Sequence, residues 1–269
     1  MSECPICKGE KYLIVNGEVE DCQCVIQRRI LNLYTSSGIP LEFMNVNIDN
    51  FTPKTDADKK PLSNEDIDQK QRARNAVTAF IQQMPRLLEG EPFSFEVQKP
   101  GATEPFVVEG KNLALAGGYK SGKSLLAAII AKGAISQSIK PKILEWASVI
   151  DACYDFDADE VFEEMQLAFA TKKILIIENV DVAYQPQVRN ARGEMGKISP
   201  FAVRKLDLLF SQRKGRRLPV VFTTSDEAKE FLKMPYGPIL RSILNDTVVV
   251  RLPSPPAEEI DKSIEERIF

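Results

Sequence analysis

The sequence contains no histidine. That removes the commonest general base and the commonest zinc ligand. Any metal centre must therefore rest on cysteine or carboxylate, and any acid–base chemistry on carboxylates. Long apolar runs are also missing: none reaches the roughly 18 residues that would suggest a membrane-spanning helix. The opening stretch MSECPICKGE has no basic region followed by an apolar one. No secretory signal is predicted, and a cytoplasmic location is expected. Neither sign of charge is in excess, since 35 Lys and Arg face 38 Asp and Glu for a net charge of -3. Bulk electrostatics thus give no hint of nucleic-acid binding. The chain of 269 residues, 43 % hydrophobic and 27 % charged, has the composition of an ordinary globular protein.

From about residue 111 the sequence reads as α/β. Short apolar runs occur at Leu113–Ala116, Ile143–Trp146, Ile174–Ile177, Val220–Thr223 and Val248–Leu252, with helical stretches between the first four. Runs of this length separated by helices predict a parallel sheet buried on both faces. Upstream, residues 71–88 read as a helix, residues 52–70 as an exposed linker, and residues 89–110 as a loop or small hairpin. Residues 25–36 read as a short helix after the cysteines.

Residues Gly117, Gly118, Tyr119, Lys120, Ser121, Gly122, Lys123 and Ser124 match the phosphate-binding pattern G-x-x-x-x-G-K-[ST]. An apolar strand precedes them and a Leu- and Ala-rich helix, starting near Leu125, follows. Glycines let backbone N–H groups turn toward phosphate oxygens, and a helix N-terminus adds partial positive charge. Lys123 is expected to reach the outer phosphates of ATP, and the Ser124 hydroxyl to help hold Mg2+.

A second strand ending in acid is needed to hold that magnesium. Ile174–Ile177 runs straight into Glu178, followed by Asn179 and Asp181. Here the sequence resembles the AAA+ ATPases, whose corresponding strand usually ends Asp-Glu. Glu178 stands where the magnesium Asp should be, and Asn179 where the catalytic Glu should be. Asn positions water but cannot take its proton. ATP binding with slow hydrolysis is expected, unless Asp181 or Glu178 substitutes. By the same resemblance Thr224 or Ser225 is the polar sensor between the two strands. Arg241 resembles the arginine finger that acts on ATP held by a neighbouring subunit, which implies head-to-tail self-association.

Cys4, Cys7, Cys22 and Cys24 form two ligand pairs separated by residues 8–21. That spacing fits one tetrahedral zinc site with a structural role. Disulfides or free thiols are the alternatives, the former disfavoured in the cytosol. Cys153 reads as a small buried residue. The densest basic run, Arg213, Lys214, Arg216 and Arg217, fits contact with single-stranded DNA or, equally, a solvated helix end. Arg189, Arg192 and Lys197 could add to the same face.

The whole pattern resembles the DnaC/DnaI group of replicative helicase loaders, phage relatives included. A four-cysteine module is followed by a helix, Ser37-Gly38-Ile39-Pro40, Asn50-Phe51, the phosphate loop and the arginine box. The resemblance implies a five-stranded AAA+ P-loop core with helices on both faces and an absent or rudimentary lid. It also implies a hexameric DnaB-type helicase and single-stranded DNA as partners. The expected organisation is a zinc module at 1–45, a linker at 46–75, the ATPase core at 76–252 and a tail at 253–269. The alternatives are an IstB-like transposition helper, sharing the core, and an adaptor that binds ATP without hydrolysing it. No membrane partner is expected.

Overall fold

The computed structural model describes residues 4–52, 61–98, 104–154, 159–180, 200–225 and 237–254. Asp181, Arg189, Arg192 and Lys197 lie outside these residues. So does the tail from 255 onward.

The chain opens on a small antiparallel hairpin, β1 (Tyr12–Val15) and β2 (Glu18–Asp21), turned by Asn16 and Gly17, both at positive φ. Helix α1 (Gln23–Ser37) follows, stopped by Gly38 at φ 80. That left-handed position suits glycine as a helix terminator. It is also a close approach, because a Cβ on Gly38 would lie 2.8 Å from the Ile143 carbonyl oxygen. Lys142 Nζ donates to the Ser36 carbonyl at 3.3 Å. The end of α1 is thereby fastened to the central sheet.

Helix α2 (Asn64–Gln82) starts well inside the stretch expected to be linker. Ser63 is the reason: its hydroxyl accepts from the Asp66 N–H at 3.2 Å, and acids occupy the first turn. The predicted helix over 71–88 is two helices, because α3 (Met84–Leu88) begins afresh at Pro85. The region expected to be loop or hairpin is a hairpin, β3 (Phe93–Val97) with β4 (Phe106–Gly110). Phe93 packs edge-on to Phe80 of α2, centroids 5.1 Å apart.

The core is a parallel sheet of β5 (Asn112–Ala116), β6 (Pro141–Glu145), β7 (Ile174–Glu178), β8 (Val220–Thr224) and β9 (Thr247–Arg251). Their spatial order is β6-β7-β8-β5-β9. Helices α4 (Lys123–Ser136), α5 (Trp146–Tyr154), α6 (Asp159–Thr171), α7 (Pro200–Gly215) and α8 (Gly237–Leu244) connect or flank the strands. Alternate residues serve two cores, as a strand's period of two demands. Leu113, Leu115, Ile174 and Ile176 meet α2 and α4 on one face, whereas Ala114, Leu175 and Ile177 meet α5, α6 and α7 on the other. Burial on both faces explains the unbroken apolar runs. The phosphate-loop strand and the acidic strand are not neighbours, since β8 pairs with both. Chain order reverses beside β5, so the carboxyl ends of β5, β8 and β7 form the crevice where such sheets bind ligands.

Candidate nucleotide site and cysteine centre

Two hydrogen bonds from neighbouring segments hold the start of the phosphate loop. The Gly117 N–H donates to the Thr224 carbonyl at 3.0 Å, and the Gly118 N–H to Ser254 Oγ at 2.6 Å. Gly122, at φ 95, ends the loop and caps α4 without a side-chain hydrogen bond. The first amides of α4 are thus not claimed by a capping side chain, which is the arrangement that receives phosphate oxygens. Lys123 Nζ donates to the Gly117 and Gly118 carbonyls at 2.6 and 2.7 Å. The loop thus carries its own ammonium at the helix N-terminus.

Glu178 ends β7 and is 5 % exposed. Burial pushes its pKa up. The Ser124 hydroxyl, by hydrogen bonding, and the Lys123 charge pull it back, while Glu145 adds to the upward push. One carboxylate oxygen, Oε1, is buried with no protein hydrogen-bond partner. A buried, uncompensated oxygen beside a hydroxyl fits a Mg2+ ligand pair, Glu178 with Ser124. Bound there, the metal would neutralise charge on the outer phosphates.

Asn179 takes the left-handed conformation, φ 59. Its N–H donates to Thr223 Oγ1 at 3.0 Å, and its Nδ2 to Glu145 Oε2 at 3.1 Å. Thr224 is buried, and its hydroxyl donates to the Ser225 carbonyl at 3.3 Å. Both sensor candidates therefore stand at the end of β8, between the phosphate loop and Asn179.

The phosphate loop and Asn179 open on a cleft of about 650 Å³. Tyr119 through Leu125 and Asn179 form one wall. Phe43, Asn50, Phe51, Thr52 and Lys70 form the other. Of that second wall, only Asn50-Phe51 stood out in the sequence, and only as part of a resemblance. Phe51 is 2 % exposed, with Lys70 Nζ 5.1 Å from its ring centroid.

At the other end of the chain, the Sγ atoms of Cys4, Cys7, Cys22 and Cys24 lie within 4.8 Å of one another. Cys4 and Cys22 are 3.9 Å apart, Cys7 and Cys24 3.6 Å. A tetrahedral zinc with bonds of about 2.3 Å places its sulfurs about 3.8 Å apart. The four cysteines could hold zinc, and four thiolates would leave no open position. Backbone N–H groups of Cys7 and Ile6 draw the Cys4 thiol down to about 7. At Cys7 burial pushes upward, but the backbone at Lys11 and Gly9 wins and the pKa is lowered. Burial, with hydrogen bonds from the neighbouring thiols and the charge of Cys22, pushes Cys24 up to about 12.

No protein-family model and no curated protein matches the sequence. Solved structures do match. A DnaC helicase loader aligns with a TM-score of 0.50 at 11 % identity, over 79 % of this chain and 99 % of that one. A DnaI structure aligns with a TM-score of 0.50 at 13 % identity, over 81 % and 94 %. This chain shares the fold of these two structures. A third match is DnaA from Aquifex aeolicus bound to AMPPCP, with a TM-score of 0.50 at 9 % identity, over 86 % of this chain and 56 % of that one.

Within the α/β core, Arg241 lies exposed on α8, before the edge strand β9. The basic run divides. Lys214, Arg216 and Arg217 are exposed. Arg213, expected to touch DNA, is 1 % exposed and does not reach solvent. Its guanidinium donates to the carbonyls of Phe169, Lys172, Lys173 and Pro219. Burial pulls its pKa down, yet guanidinium with this many acceptors keeps its proton. Arg213 is thus a structural tie between α6, α7 and the strands. Thr223, closing an apolar run, and Ser254, three residues past β9, hold Asn179 and Gly118 and had no signal of their own in the sequence.

Proposed function

We propose that this chain is an ATP-binding helicase loader, which delivers a DnaB-type replicative helicase onto single-stranded DNA at the start of replication. The observation that carries the reading is the union, in one chain, of a DnaC-type AAA+ core with a four-cysteine module bearing an exposed apolar face. Ile14 and Val19 on the hairpin are 70 % and 71 % exposed, and Leu31 on α1 is 59 % exposed. Apolar side chains so open to water, two of them paired across the hairpin, suit a protein partner.

ATP and Mg2+ occupy the cleft at Gly117–Leu125, Thr224 and Glu178, and zinc the four cysteines. The bound AMPPCP in the DnaA structure of the same fold supports the nucleotide. Arg241 completes the site of a neighbouring copy. Lys214, Arg216 and Arg217 contact DNA phosphates. Nucleotide then acts as a switch that favours the assembled, DNA-gripping state. Full-length protein carrying Ile14→Asp and Val19→Asp tests the partner. It should lose the helicase in a pull-down while binding ATP as before. Retained helicase binding would refute the assignment.

Asn179 favours a second reading, an adaptor that binds ATP and never hydrolyses it. Single-turnover assays with and without single-stranded DNA separate the two.

A further inference from the structure

Two carboxylates end adjacent strands next to Asn179, which itself lines the cleft. β6 and β7 pair in parallel, and Glu145 and Glu178 are register partners. They therefore stop at the same level, about one strand spacing of 4.8 Å apart along the sheet. Glu178 is turned inward and is engaged with Ser124. Glu145 remains exposed at the rim.

Asn179 joins this rim to the cleft. Its positive φ bends the chain back just past Glu178, and its N–H is pinned by Thr223 Oγ1. Asn179 lines the cleft together with Lys123 and Ser124. Its Nδ2 is spent on Glu145 Oε2 at 3.1 Å. The carbonyl oxygen of that carboxamide can accept from a water, but an amide cannot take a proton away. The group bonded directly to it can.

We infer that Glu145 is the general base of this site, the carboxylate that takes the proton of the water attacking ATP, and that Asn179 is the residue that positions it. The inference rests on reading Gly117–Ser124 as an ATP site. The usual division places the base on the acidic strand itself. Here the strand end offers the amide and the neighbouring strand offers the acid. The water oxygen attacks the γ-phosphorus, and the bond from that phosphorus to the β–γ bridging oxygen breaks with its electron pair leaving on ADP. The proton lost by the water passes to the Glu145 carboxylate and then to phosphate or solvent. Glu145 also precedes α5, where an acid suits the helix N-terminus. A purely structural role would be met as well by glutamine, which keeps the hydrogen bond to Asn179 but accepts no proton.

The test uses the full chain with Mg-ATP, measuring nucleotide affinity and single-turnover hydrolysis separately, with single-stranded DNA present and absent. Glu145→Gln should lower hydrolysis about 100-fold or more, the usual worth of a positioned base, and change affinity less than about twofold. The reciprocal double variant, Glu145→Asn with Asn179→Glu, should regain most of the lost rate. Glu145→Gln hydrolysing at the wild-type rate overturns the inference. So does a wild-type chain that binds ATP tightly and never turns it over. A wild-type chain that binds no ATP refutes the nucleotide reading itself.

Discussion

The ring of Phe51 lies against Gly122, so that a Cβ on the glycine would stand 3.0 Å from Phe51 Cε2. Segment 41–52 is therefore part of the phosphate loop's support. Gly122 is also at φ 95, where an L side chain is strained. Gly122→Ala should lose nucleotide binding through both effects. Phe51→Ala should cost about 3–5 kcal/mol of stability, as buried Phe truncations do. Thermal melts with a fluorescent ATP analogue check both. A Phe51→Ala protein melting like wild type would show that the segment does not brace the loop.

The cysteine centre makes a separable prediction. A zinc-loaded chain treated with a strong chelator should release its metal and lose the hairpin and the start of α1, since binding contributes about 10 kcal/mol or more to such modules. The α/β core buries its own two apolar clusters and should keep its far-ultraviolet signal and its affinity for ATP. Metal content by atomic emission, followed by circular dichroism, measures both halves. Core unfolding on metal removal would contradict this independence.

For Arg213 the expectation concerns stability, not DNA. Lysine is a point charge that cannot serve four carbonyls arranged around a planar fork. Arg213→Lys should destabilise the fold by roughly 2–4 kcal/mol, through carbonyls left unsatisfied in the interior. It should leave the salt dependence of any DNA binding unchanged. Lys214→Ala and Arg217→Ala should do the reverse, flattening that dependence and sparing stability. Denaturant titration and salt-dependent binding isotherms tell the two patterns apart.

Cys153 is fully buried, and burial pushes its thiol from 9.0 up to about 12, with Lys205 opposing weakly. The folded state thus favours the protonated form. Its contribution to stability is complete below pH 9.0 and is lost as pH climbs toward 12. Wild type should therefore lose more stability than Cys153→Ala over that interval. Native Cys153 should also resist alkylation until the chain unfolds. Mass spectrometry after a brief iodoacetamide pulse reads this directly.

What could be read from the sequence was local. The phosphate loop and the cysteine pairs are defined by spacing, and each strand of the sheet by an apolar run. Those signals survive because neighbouring residues in the chain carry them. The start of α2 was hidden because its first turns, Asn64 to Gln69, show water mostly polar side chains and look like linker. Arg213 was misread because the direction of one side chain at a helix end depends on carbonyls 40 residues or more away, at Phe169 and Lys173. Glu145 gave no signal at all. Its meaning arises only when β6 pairs with β7 and sets it beside Asn179.

Helix α1 is a single uninterrupted rod of 15 residues, about 22 Å long at 1.5 Å per residue. One end carries the cysteine module, and the other is fastened at Gly38 and Ser36 to the strand that finishes in Glu145. Such a rod is a lever. The hairpin therefore has one continuous helical route to β6 and to the sheet tip that ends in Glu145.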